Sequence, residues 1–284
     1  MTETANRLCR ALTIATLVAL LVLPGAAFSE EPTPAPQTSG TAEPAAAAEH
    51  AQANAAEAEA NRLPPASITH HTISLGGETV AYSAKAGTLP LHDVHGKTLA
   101  TVFYVAYMRE PQDTKRPVTF VFNGGPGAAS AYLHLGGIGP KAVEVTARGE
   151  LLGPPPRLVD NDSSWLDFTD LVFVDPVGTG YSRASEGKDE GDFWSVEHDT
   201  DSLADFIRLY LIDAARMTSP VFLAGESYGG FRAAKVARAL QRDQGIVTAG
   251  IVMLSPMLEG WLTFGDDESA LRADGEAVVR YLGL

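Results

Sequence analysis

Two glycine-flanked turns carry the residues best able to do chemistry. In "VFLAGESYGGFRAAKVARAL", Val221 to Leu240, Ser227 sits at the centre of a G-x-S-x-G spacing between Gly225 and Gly229. An apolar run precedes it and an amphipathic stretch follows, the strand-turn-helix setting in which such a serine is lifted above a sheet. A side chain at either glycine would collide where strand and helix converge. The hydroxyl would stand before a helix N-terminus, whose partial positive charge favours a developing anion. That is the chemistry of a nucleophile in acyl transfer. The competing role is a helix cap, with the serine oxygen bonded to a backbone N–H.

The second turn supplies what that serine would require. "VTFVFNGGPGAAS" leaves an apolar run through Asn123, Gly124, Gly125, Pro126 and Gly127, so backbone N–H groups can face a substrate carbonyl without side chains in the way. The amide of Gly125 and that of Tyr228, the residue after the nucleophile, are the candidate oxyanion hole. A dinucleotide-binding G-x-G-x-x-G loop fits poorly, because position 130 is Ser130 and Pro126 lies inside the loop. Nothing in the sequence requires a cofactor or a metal ion. The adjacent His70 and His71 would face opposite sides of a strand and cannot share a metal.

The elements that must position these turns follow from periodicity. "SITHHTISLGG", "ETVAYSAKAG" and "KTLATVFYVAYMRE" read as antiparallel strands, the first two joined at Gly76 and Gly77 as a hairpin. "PVTFVF", "DLVFVD", "PVFLAG" and "AGIVMLS" are short apolar runs of the buried parallel type. Helices are predicted in "DTDSLADFIRLYLIDAARM", with Asp199 as its cap, and over Ser227 to Arg242. The expected fold class is α/β with a mixed, mostly parallel sheet and antiparallel strands at the start.

The first residues belong to neither. Arg7 and Arg10 precede an apolar run from Ala11 to Leu23, followed by Gly25, Ala26, Ala27 and Ser29, the layout of a secretory signal peptide over residues 1–29. The run is shorter than the ~20 residues that span a bilayer, so no stable membrane anchor is expected. Residues 30–66, rich in Pro, Ala and Glu, read as a disordered linker, leaving 67–284 as the folded domain. The only cysteine, Cys9, lies in the leader. A net charge of −14 argues against nucleic acid and anionic membrane surfaces as partners. Oligomeric state is not legible.

"NGGPG", "FVDPVGTGYS" and "GESYGG", in this order and at these separations, resemble the serine carboxypeptidase family of α/β-hydrolases. The similarity extends from roughly Val118 to the end of the chain. The resemblance implies hydrolysis of C-terminal peptide bonds by a Ser-Asp-His triad, and an exported enzyme acting on peptides or proteins with a free C-terminus. It assigns Ser227 as nucleophile, the amides of Gly125 and Tyr228 as oxyanion donors, and Asn123, Gly124 and Glu226 as part of the network holding the terminal carboxylate.

Three departures shape the expectation. A second glutamate of that network falls at Gly137, so Glu226 has no partner carboxylate. Ala128 and Ala129 replace a cysteine-containing part of the motif. In this fold the order is Ser, Asp, His, yet the last histidine is His198; Asp243, Asp266, Asp267 and Asp274 follow Ser227 with no base to orient. These features lead to the expectation of a C-terminally truncated hydrolase whose triad Asp and His lie outside these residues. An esterase or acyltransferase using the same serine, and an inactive fragment or binding protein, are the alternatives.

Overall fold

The computed structural model describes residues 65–146, 148–151 and 153–258. The predicted signal peptide, almost all of the linker, and Asp266, Asp267 and Asp274 lie outside the described residues.

Three long strands open the domain: β1 (Ser67–Leu75), β2 (Glu78–His92) and β3 (Thr98–Arg109), each antiparallel to the next. Gly76 and Gly77 form the β1–β2 turn, both with positive φ. His70 and His71 part as expected, His70 bonding Glu110 and His71 stacking on Tyr82. The second strand runs past Gly87, further than its sequence suggested, through Pro90 to His92. Pairing with β1 stops at Ala86, while Pro90 pairs only with Thr101 of β3, so a missing N–H costs no ladder bond there.

Next come β4 (Val118–Phe122), the minor strands β5 (Lys141–Val143) and β6 (Leu158–Asp160), β7 (Asp170–Val174), β8 (Arg183–Ala184), β9 (Val221–Glu226) and β10 (Gly250–Leu254). The main sheet has the order β1-β2-β3-β7-β4-β9-β10, with β8 beside β3; β5 and β6 form a separate pair. From β7 to β10 the neighbours are parallel. The four continuous apolar runs are these four strands, and every residue of β4 and β7 is buried. Burial on both faces removes the need for alternation. β10 is more exposed than expected: it pairs only with β9 among the described residues, and Val252 and Met253 are 36% and 41% exposed.

Two helices, α1 (Val196–Asp213) and α2 (Tyr228–Asp243), pack together on one face of the sheet. There Leu203, Phe206, Tyr210, Val236 and Leu240 meet Tyr104, Phe120 and Phe122. Val121, Leu171 and Phe173 point to the other face, against Tyr82, Tyr107, Ile138 and Leu166. The cap of α1 is Ser195, whose side chain accepts from the His198 amide. Asp199, expected in that role, lies inside the first turn, where its carboxylate is buried against Arg232 of α2.

At the N-terminal ends of the parallel strands one carboxylate anchors the sheet. Asp170 is 1% exposed and receives Arg116 Nε at 2.9 Å and Arg216 Nη1 at 2.5 Å. The loops after β4, β7 and β9 leave from the opposite end, where ligands of open α/β sheets bind.

Candidate active site

β9 delivers Ser227 directly into the first turn of α2. The Ser227 backbone has φ 57° and ψ −124°, a region non-glycine residues rarely occupy, and its side chain makes no capping bond to the helix. Backbone bonds hold it there: Ser227 N donates to Leu254 O at 2.9 Å, and Ser227 O accepts from Gly230 N and Met257 N, each at 3.0 Å. The hydroxyl is therefore free of the helix and presented at the end of the sheet. The glycine before it is required by contact, since a Cβ on Gly225 would lie 1.9 Å from the Gly229 carbonyl oxygen.

The β4 loop comes against the same turn. A Cβ on Gly124 would lie 2.8 Å from Ser227 Cβ and 2.9 Å from Tyr228 N, so only a bare backbone can pass between the loop and Ser227. Tyr228 N begins the helix and has no intrahelical acceptor. Asn123, 2% exposed, ties this loop to its neighbours: its Oδ1 accepts from Leu133 N at 3.0 Å and its Nδ2 donates to Glu226 Oε2 at 3.4 Å.

Asn123, Gly124, Gly125, Glu226 and Ser227 line one open cavity of about 460 Å³. Its opposite wall is the helical segment Ala131–Leu133, which continues as a π-turn over His134–Ile138 and contributes Tyr132, Leu133, Gly136 and Gly137. Gly137 opens onto this space, and a Cβ there would meet only Leu133 Cδ2 at 3.7 Å and Tyr132 O at 4.0 Å. The Tyr228 side chain turns away. It lines a second cavity of about 300 Å³ with Pro126, Val177, Phe193 and Trp194. Burial raises the pKa of its phenol, the Asp199 carboxylate adding to this and Arg232 opposing it.

Several supporting groups were not singled out from sequence. Asp175, inside "FVDPVGTGYS", accepts from Ser130 N at 3.0 Å and Tyr181 N at 3.2 Å, joining the far end of the glycine loop to the loop after β7. Burial raises its pKa, against the lowering effect of those two bonds. Arg232 falls in phase with Gly229 and Val236 on the buried face of α2, a signal the sequence did contain. Neither histidine near this end serves Ser227. His134 bonds Tyr107 Oη at 2.7 Å, and His198 Nδ1 bonds the Asp192 carbonyl. Asp243, at the end of α2, pairs with its neighbour Arg242. No group of three or more metal-binding side chains occurs among the described residues.

A sequence model of the family described as serine carboxypeptidase matches residues 77–255. The chain belongs to the serine carboxypeptidase family. Serine carboxypeptidase-like 20 of Arabidopsis thaliana is 30% identical over 148 residues, 51% of this chain and 28% of that protein. Pheromone-processing carboxypeptidase KEX1 of Yarrowia lipolytica is 28% identical over 184 residues, 64% of this chain and 27% of its own length. The crystal structure of a prohormone-processing carboxypeptidase from Saccharomyces cerevisiae superposes with a TM-score of 0.50 at 26% identity, covering 64% of this chain and 41% of that one. The chain thus spans just over a quarter of the length of these two curated relatives. Family membership accounts for the α/β-hydrolase architecture, with its antiparallel opening strands and parallel continuation.

Proposed function

We propose that this chain carries the nucleophile and substrate-carboxylate half of an exported serine-type carboxypeptidase that cleaves C-terminal peptide bonds through an acyl-enzyme on Ser227. One observation carries the reading: an uncapped serine hydroxyl on a strained turn opens into the cavity that also holds Asn123, Gly124 and Glu226. In the reaction Ser227 Oγ attacks the scissile carbonyl carbon. The resulting oxyanion takes hydrogen bonds from the amides of Gly125 and Tyr228, with the N-terminus of α2 behind them. The C–N bond then breaks, the C-terminal amino acid leaves with a proton on its nitrogen, and water releases the acyl group. Asn123 Nδ2 and the Gly124 amide donate to the terminal carboxylate of the peptide, whereas Glu226 can donate only when protonated.

No histidine follows Ser227, and His134 and His198 are engaged elsewhere. The base and the aspartate that orients it are therefore assigned outside residues 1–284, and this chain alone should turn over almost no substrate. Removal of triad members leaves only roughly 10³- to 10⁴-fold over water, from the oxyanion hole and binding. The basic and apolar leader, Arg7 to Leu23, supports export. Substrates are peptides with a free C-terminus, and the acidic balance disfavours nucleic acid.

A second reading, an esterase or acyltransferase on the same serine, is favoured by Gly137, which leaves the cavity wall without a second carboxylate. Binding of an N-blocked dipeptide to the Ser227→Ala chain, with the C-terminus free or amidated, separates the two. The carboxypeptidase reading expects the free acid to bind at least roughly tenfold tighter, about 1.4 kcal/mol, with that preference kept or strengthened in Glu226→Gln, whose amide is always a donor. Equal binding of acid and amide rejects it in favour of the ester substrate.

A further inference from the structure

Arg232 is a cation almost entirely removed from water, 3% exposed, one turn into the helix that starts at the nucleophile. Its Nε donates to Asp199 Oδ2 at 2.7 Å, and its Nη1 donates to the backbone carbonyl of Asn123 at 2.9 Å. Its guanidinium also lies 4.9 Å from the centroid of the Tyr228 ring. One rigid fork therefore touches the first residue of the glycine loop, the side chain that follows the nucleophile, and the first turn of α1.

We infer that Arg232 is the positioning residue that fixes the glycine loop against the nucleophile turn, and so sets the spacing of the two oxyanion amides. The Asn123 carbonyl it holds precedes Gly124 and Gly125, and the Asn123 side chain reaches Glu226 and Leu133. A shift at that carbonyl displaces both the oxyanion amide and the wall that receives the terminal carboxylate. Lysine cannot replace the arrangement. Its ammonium is a point charge on a flexible stem, whereas the guanidinium presents donors in a fixed plane and stacks on an aromatic face. The spacing argument depends on Ser227 being the nucleophile, as proposed above; the clamp on the loop does not.

The test uses three forms of the 284-residue chain: wild type, Arg232→Lys and Arg216→Lys. Arg216 is an equally buried arginine, 1% exposed, paired with Asp170 at the opposite end of the sheet, and so controls for the loss of a buried guanidinium. Hydrogen–deuterium exchange is followed in peptides covering 121–130 and 225–231, with the urea midpoint measured alongside. Calorimetry reports binding of the N-blocked dipeptide with a free C-terminus, whose carboxylate receives the Asn123 and Gly124 donors. Arg232→Lys should raise exchange in both peptides by roughly tenfold or more, beyond any global loss of stability. It should weaken that binding by roughly tenfold. Arg216→Lys should lower the urea midpoint and leave both local readouts at wild-type values.

Wild-type exchange at 121–130 in Arg232→Lys overturns the inference, as does equal disturbance of the loop by Arg216→Lys. Absence of dipeptide binding in the wild type, with loop exchange still raised in Arg232→Lys, refutes the proposed carboxypeptidase reading while supporting the clamp. Should the lysine variant fail to fold, Arg232→Gln is read by the same two measurements.

Discussion

Acidification should loosen one wall of the candidate site through a single side chain. His134 opens the π-turn beside the cavity, bonds Tyr107 Oη at 2.7 Å and stacks on Phe173 with ring centroids 4.5 Å apart. Burial pulls its pKa down from 6.5 to about 4. Between these values the unfolded chain holds the proton and the folded chain does not, so stability falls as pH falls through that window. At about 1.4 kcal/mol per unit, the full loss is at most about 3.5 kcal/mol and is complete only below the folded pKa. That is a large share of a stability on the order of 5–15 kcal/mol. Asp175 and Asp199 act in the opposite sense: burial raises both pKa values, so protonation as pH falls favours the folded form. The raw pH profile therefore mixes opposing contributions, and the difference from His134→Gln, which keeps a polar partner for Tyr107, isolates the histidine. Urea unfolding followed by tryptophan fluorescence, from about pH 7 down to about pH 4, gives that difference. The wild type should lose its advantage progressively below about pH 6.5. A difference constant to within about 0.5 kcal/mol across the range would refute the reasoning.

Gly137→Glu should be tolerated, its nearest neighbours lying 3.7 and 4.0 Å from the new Cβ, and in calorimetry at acid pH, where two facing carboxyls share a proton, should strengthen binding of a free-acid dipeptide over its amide. Gly124→Ala should do the reverse: its Cβ would land 2.8 Å from Ser227 Cβ, costing about 1–3 kcal/mol by denaturant titration and weakening binding of the free-acid dipeptide. Asp170→Ala leaves Arg116 and Arg216 without their shared buried carboxylate and should cost about 3–5 kcal/mol, read as a lowered urea midpoint or loss of soluble protein.

The sequence made the parallel strands legible because each is an unbroken apolar run, and the tight turn at Ser227 because its flanking glycines mark a close approach of strand and helix. Three features were hidden for physical reasons. The extension of β2 through Gly87 and Pro90 depends on where β1 stops pairing, which no local pattern encodes. Asp199 looked like a cap because a short acidic residue at a helix start usually is one; its partner Arg232 lies 33 residues away, a tertiary fact. The exposure of β10 follows from its place at the margin of the described sheet rather than from its composition, which matches that of its buried neighbours.

The torsion of Ser227 sets two demands on this chain against each other. A non-glycine residue at φ 57°, ψ −124° costs on the order of 1–3 kcal/mol, which the bonds to Leu254, Gly230 and Met257 must hold in place. Glycine at 227 would relieve much of that strain and remove the hydroxyl, so the more stable protein is the one without the proposed nucleophile. A serine at this torsion is a standing load on the fold, so under the proposed role of Ser227 activity and stability make opposite demands on the entry to α2.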